Sequence, residues 1–269
     1  AGYIFTKAIA AGILAFPMLF QLTGWVNVSD SVLWITAIMS LVFLGLTGVL
    51  LIKDLDQPKR FLYVLLRPHW TSWLVKGGYT ITAYGGLVTL WGVLKYFELA
   101  TLTELLIWPI LCLSVLLAVY TAFLFGQAKG RDFWQSPLLS VHMLLHSVVG
   151  GSAALLIMSS FWTDILPLVA LLKGILFWSL VVQLFSFAAE FLSSHPTEDA
   201  VKTAHMITHG IFCKTFWVGV VLCGNAAPLL LLSINSGLLA VATASILVLI
   251  GVWLSVRIWV MAPQMVALS

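Results

Sequence analysis

Apolar residues fill this chain in long blocks, and polar residues are confined to short stretches between them. Eight blocks reach membrane-spanning length: 3–25, 31–52, 73–94, 104–126, 138–161, 167–192, 214–233 and 237–259. A helix crosses the hydrocarbon core with about 20 predominantly apolar residues. Membrane β-strands are shorter, alternate in polarity and need many more turns. The pattern therefore predicts an all-α polytopic membrane protein with eight transmembrane helices. The first block holds Lys7 and no small-residue cleavage site follows it, so it reads as a span and not as a signal peptide. The chain opens on Ala1 without an initiator Met, which points to N-terminal residues outside this numbering.

Composition agrees with the pattern. The chain is 61% hydrophobic and 9% charged, against about 25% charged in an average soluble domain. That excludes a soluble enzyme and a nucleic-acid binder. Thirteen Lys and Arg against ten Asp and Glu leave a net charge of +3, which by itself names no partner. The placement of the charges says more. An even number of spans puts both termini and the loops after spans two, four and six on one face. Lys7, Lys53, Lys59, Arg60, Arg67, Lys76, Lys129, Arg131, Lys202, Lys214 and Arg257 fall there, and only Lys95 and Lys173 fall opposite. The positive-inside rule makes that face cytoplasmic; alternatively, the basic loops form a docking platform for a soluble partner. Cys112, Cys213 and Cys223 form no C-x-x-C and read as small apolar helix residues, so no metal site is expected. Glycines at 45, 48, 77, 78, 85, 86, 150 and 151 predict close helix packing. No repeat in identity relates the halves, but the count suits two four-helix bundles, residues 1–130 and 131–269.

Ionisable residues inside spans are the first candidates for chemistry. Lys7 either snorkels to the headgroups or faces the bundle as a positive partner for a carbonyl or acidic ligand. In span six, Ser179, Gln183, Ser186, Glu190 and Ser193 follow at steps of three or four and share one helix face. That stripe covers about 21 Å. It is either a hydrated proton route ending at Glu190 or interhelical hydrogen bonding. His142 and His146 lie four apart in span five, and His205 and His209 repeat the spacing before span seven. They suit haem ligation across helices, or hydrogen bonding in a cavity, although two histidines on one turn cannot both be axial to one haem. Tyr120, Phe123 and Gln127 lie on one side of span four. A phenol there is either a donor to a carbonyl of an apolar ring ligand or an interfacial belt residue. Glu104, at the other end of span four, would open a proton route to the opposite face.

Five stretches carry a resemblance: YIFTKAIAAGI at 3–13, KDLDQPKRFLYVLLRPHWTSWLVKGGY at 53–79, YTAFLFGQAKGRDFWQSPLL at 120–139, GIFCKTFWVGVVLCGNAAPLLLL at 210–232 and RIWVMAPQ at 257–264. The sequence resembles the NrfD/PsrC family of polysulfide-reductase-type membrane subunits over nearly its whole length. The resemblance implies an eight-helix, multi-pass subunit of a prokaryotic inner membrane. Such a subunit binds menaquinone or ubiquinone as substrate and holds no haem or metal of its own. Its implied partners are a ferredoxin-like iron–sulfur subunit and a molybdopterin or multihaem catalytic subunit. Tyr120 matches the family's quinone-contacting tyrosine. Tyr3 stands where that type has a histidine, and Lys7, in a T-K-x-I-A-A-G run, is the substitute candidate beside Phe123 and Gln127. Arg60, Arg67, Lys129 and Arg131 would meet the partner. Protons would arrive along Glu190, Gln183, Ser186 and Ser179 with His142 and His146. The resemblance sets the partner on the outer face, against the charge rule. Two other functions compete: a b-type cytochrome using the span-five histidines, and an ion- or proton-translocating subunit.

Overall fold

The computed structural model describes residues 1–54, 66, 68–234 and 237–266, and the regular structure among them is helical. The helices are α1 (Gly2–Thr23), α2 (Asp30–Lys53), α3 (Trp73–Tyr96), α4 (Ala100–Gly126), α5 (Leu138–Met158), α6 (Val169–Leu192), α7 (Glu198–Thr208), α8 (Ala227–Ile234) and α9 (Leu238–Met265). Short 3-10 turns at Asp132–Gln135 and Thr163–Leu168 lead into α5 and α6. Every apolar block of the sequence is helical. Seven of the resulting rods, among the described residues, are long and apolar enough to cross a membrane. The remaining one, α3, has the length, but its glycines, threonines and Lys76 dilute its apolarity.

Helix α1 is the centre of the molecule. It packs against α2, α4, α5 and α9. One face, with Leu14 and Met18, joins a core shared with Leu33 of α2, Val88 of α3 and Ile110 of α4. The other, with Ile9 and Ile13, joins a core of α5, α6 and α9 that includes Val149, Leu176 and Val248. Such two-sided burial requires a helix apolar all round, which α1 is apart from Lys7 and a few hydroxyls. Gly24, at φ 67°, ends it in the left-handed turn that only glycine adopts freely, with its N–H on the Phe20 carbonyl.

Three details differ from the sequence expectation. The stretch 193–213 is not merely a polar connector but holds α7. Thr197 caps it by accepting from the Ala200 N–H, and its Ala200, Ala204 and Ile207 face is buried. Span seven starts as a π-helix, Thr215–Ala226, before α8. The wider coil brings Gly224 onto Gly251 of α9, where a Cβ would meet the Gly251 Cα at 2.5 Å, and Asn225 Nδ2 donates to the Val220 carbonyl at 2.8 Å. Close packing falls on only some of the expected glycines, and on Gly12, which was not among them. Gly12 and Gly151 touch where α1 crosses α5, whereas a Cβ at Gly45, Gly48 or Gly86 would meet open space.

Candidate functional site

Lys7 does not snorkel. Its side chain is 1% exposed, and its Nζ donates to the Ala118 carbonyl at 3.0 Å and to Thr121 Oγ1 at 2.6 Å. The ammonium also sits 4.2 Å from the centre of the Tyr120 ring. Helix α4 thus presents a carbonyl, a hydroxyl and a π-face to one cation, which solvates it in place of water. Tyr120 is buried as well, and its hydroxyl has no hydrogen-bond partner among the described residues. Its ring fills the space left by Gly77 of α3, where a Cβ would stand 2.3 Å from Tyr120 Cε2. Tyr3 is buried one turn before Lys7, near enough to Tyr120 and Asp54 to interact with both electrostatically. Tyr3, Lys7 and Tyr120 therefore come together, with Thr121 and Gly77 as additions that sequence reasoning missed.

Phe123 and Gln127 turn the other way. Phe123 stacks on Trp73, ring centres 4.5 Å apart. The Gln127 amide clasps the start of α3, accepting from the Trp73 N–H and donating to the Thr71 carbonyl, both at 2.8 Å. Both side chains line a cavity of about 350 Å³ at the basic face, between the start of α3, the end of α4 and the start of α5. Its third wall includes Ser140 of α5 and Ser136, just ahead of that helix.

Ser136 links this cavity to a buried acid. Its Oγ donates to Glu190 Oε2 at 3.0 Å, and the same carboxylate oxygen is 3.5 Å from His142 Nε2. The other nitrogen of His142 shares a hydrogen bond with Ser186 at 3.2 Å. One turn further in, His146 Nε2 shares one with Ser255 of α9 at 3.3 Å. Phe187 and Trp259 pack against the His142 ring and exclude lipid from it. Helices α1 and α5, which carry Lys7 and the two histidines, pack directly on each other. Gln183 is buried with Oε1 unpartnered among the described residues. The expected stripe of Gln183, Ser186 and Glu190 is thus an interior face, and Ser179, half-buried, is its outer end. Ser136 and Ser255 were not singled out from the sequence. The signal for Ser136 was its position in the Q-S-P-L-L run that opens α5.

The other candidates lie apart. Glu104 is exposed at the far end of α4. His205 and His209 are exposed on α7 and stack on each other, ring centres 5.3 Å apart. Lys129 is exposed at the basic face. Arg131 is committed to the end of α9, donating to the carbonyls of Pro263 at 2.9 Å and Val266 at 2.5 Å. Arg60 and Arg67 lie outside the described residues.

A multi-pass helical protein with a buried cation, a buried phenol and an interior acid–imidazole pair is a membrane protein built around polar chemistry. The chain belongs to the NrfD polysulphide reductase family, whose model matches residues 1–268. Membership makes it a multi-pass integral membrane protein and implies a membrane subunit of a quinone-linked oxidoreductase. Members of the family work with iron–sulfur and catalytic subunits. No curated protein matches the chain.

Proposed function

We propose that this protein is the quinone-reactive membrane subunit of a respiratory oxidoreductase, and that the head of the quinone is received beside Tyr120 and Lys7. The observation that carries this reading is the Lys7–Tyr120 pair. A phenol hydroxyl with no hydrogen-bond partner among the described residues and a lysine amine are held side by side in an apolar interior beneath the basic face. A quinone carbonyl needs such donors and otherwise apolar walls. The chain spans a prokaryotic inner membrane eight times, with α3 as the third span, in two four-helix bundles of residues 1–130 and 131–269. Electrons come from a ferredoxin-like iron–sulfur partner docked on the basic face near Lys129, itself fed by a molybdopterin or multihaem subunit. Glu190, His142 and Ser186 supply the protons. In this reading His142 and His146 serve proton exchange and not haem ligation, and the reduced complex lacks the α-band of a b-type haem.

The test is Tyr120→Phe in the assembled complex. Quinone turnover falls at least about tenfold, the low end of what a positioned proton donor contributes, while reduction of the iron–sulfur partner by the catalytic subunit is unchanged. Unaltered quinone kinetics would remove Tyr120 from the site.

A further inference from the structure

Among the described residues, the buried side chains that bond from one helix to another stop partway across the protein, and the buried hydroxyls beyond them bond within their own helices. From the basic face inward, Ser136, Glu190 and His142 form one group, and His146 with Ser255 forms a second one helical turn deeper on α5. The next inward residues on the same helices are Val149 and Ala153 of α5, Leu180 and Leu176 of α6, and Val252 and Val248 of α9. None of them is more than 2% exposed. The hydroxyls in that layer, Ser152 and Ser245, donate to carbonyls of their own helices. The next titratable group along α6 beyond Gln183 is Lys173, about 15 Å away by the helical rise. The other half ends in the same way. Ser40 Oγ donates to the Ala10 carbonyl at 2.8 Å and shares a hydrogen bond with Tyr84. Leu33, Val88, Trp91 and Ile110 then close the core. Thr36 and Ser114 there donate to their own helices. At the far surface an ion pair of 2.7 Å joins Lys95 to Asp30, and Ser31 donates to Asp164.

The inner end of the network has a second character. His142 Nε2, His146 Nδ1 and Gln183 Oε1 are buried without a hydrogen-bond partner among the described residues, and so is Asn225 Oδ1, beside the Gly224–Gly251 crossing and the deepest of them. Buried polar atoms of this kind are ordinarily met by water. A polar interior that takes up water and abuts a dry layer conducts protons to the depth of that layer and no further.

We propose that this interior is a blind-ended proton well, filled from the basic face only, with Ser136 at its mouth and Glu190 as the group that exchanges protons with the cavity. The inference rests on the quinone reading and adds the side from which the protons come. Two electrons and two protons convert the two carbonyls of a quinone to two hydroxyls. The electrons arrive from the iron–sulfur partner at the basic face, and the protons from the water of that same face. No charge crosses the apolar layer, so turnover of this subunit is electroneutral.

The test uses the whole complex in proteoliposomes, with one pH indicator trapped inside and another outside. Orientation is read from an impermeant maleimide at Ser160→Cys, exposed on the opposite face. With a reduced viologen as donor, which gives up electrons and no protons, expected are two protons consumed per quinone in the compartment facing Lys129, none in the other, and a rate unchanged by an uncoupler. Glu190→Gln slows turnover about tenfold and Ser136→Ala about threefold, the second in a variant that keeps the buried acid–imidazole pair. Protons taken from or delivered to the far compartment would overturn the proposal, as would wild-type rates in both variants. So would a substrate-free proton leak that Glu190→Gln abolishes, which bears on the well whatever the quinone kinetics. Absence of quinone turnover by the wild-type complex would instead overturn the proposed function beneath it.

Discussion

Lys7 separates function from stability. A cation without a carboxylate partner in a membrane interior costs several kcal/mol in desolvation, and an apolar residue of similar length removes that cost. Lys7→Met is therefore expected to leave the assembled complex at least as heat-stable as wild type while raising the apparent KM for quinone about tenfold, or about 1.4 kcal/mol. A melt and a quinone titration on the same preparation check both directions. If stability fell and KM held, Lys7 would be a packing residue. Lys7, Tyr120, Glu190 and His142 were legible in the sequence because ionisable groups are conspicuous in apolar blocks. Thr121, Ser136 and Ser255 were not, since a hydroxyl in a span usually bonds its own helix, as Ser152 does. The bonds that Gln127 and Arg131 make were hidden for a different reason. Both are spent on nearby backbone, which spacing along one helix does not reveal.

Helix contacts set how firmly these residues are held. At the α1–α5 crossing, a Cβ on Gly12 would lie 2.1 Å from the Ser147 carbonyl and 2.8 Å from the Gly151 Cα. Gly12→Ala must push the helices apart, and a loss of about 3 kcal/mol is expected, the upper end for overpacking. Gly45→Ala meets open space and gains up to about 1 kcal/mol from helix propensity. Thermal melts of the two variants should therefore shift in opposite directions. Gly77→Ala acts on the site and not only on the fold. Its methyl would overlap the Tyr120 ring, so quinone turnover should drop as far as in Tyr120→Phe. The helices themselves were legible because a run of about 20 apolar residues has few alternatives in a membrane. The crossings were not, because a glycine in a span looks the same whether it faces a neighbouring backbone or lipid. The π-helix depends on such a crossing, Gly224 on Gly251, and α7 has too few residues for its period to stand out.

At the scale of the whole molecule, charge, polarity and packing divide the protein between two faces. The basic face holds the cavity of Phe123, Gln127 and Ser136, the exposed Lys129 and the bond from Ser136 to Glu190. The opposite face holds an ion pair and apolar layers. If Lys129 meets an acidic partner, Lys129→Glu should slow electron delivery severalfold at low salt and converge on wild type as salt screens the contact. The central claim is that the quinone head lies between α1 and α4 beneath that face. A photoreactive azidoquinone, cross-linked in the intact complex and mapped by mass spectrometry, tests it most directly. Label is expected on the segments around Tyr3–Lys7 and Tyr120–Phe123, displaced by excess quinone. Displaceable label confined to residues 169–266 would contradict it.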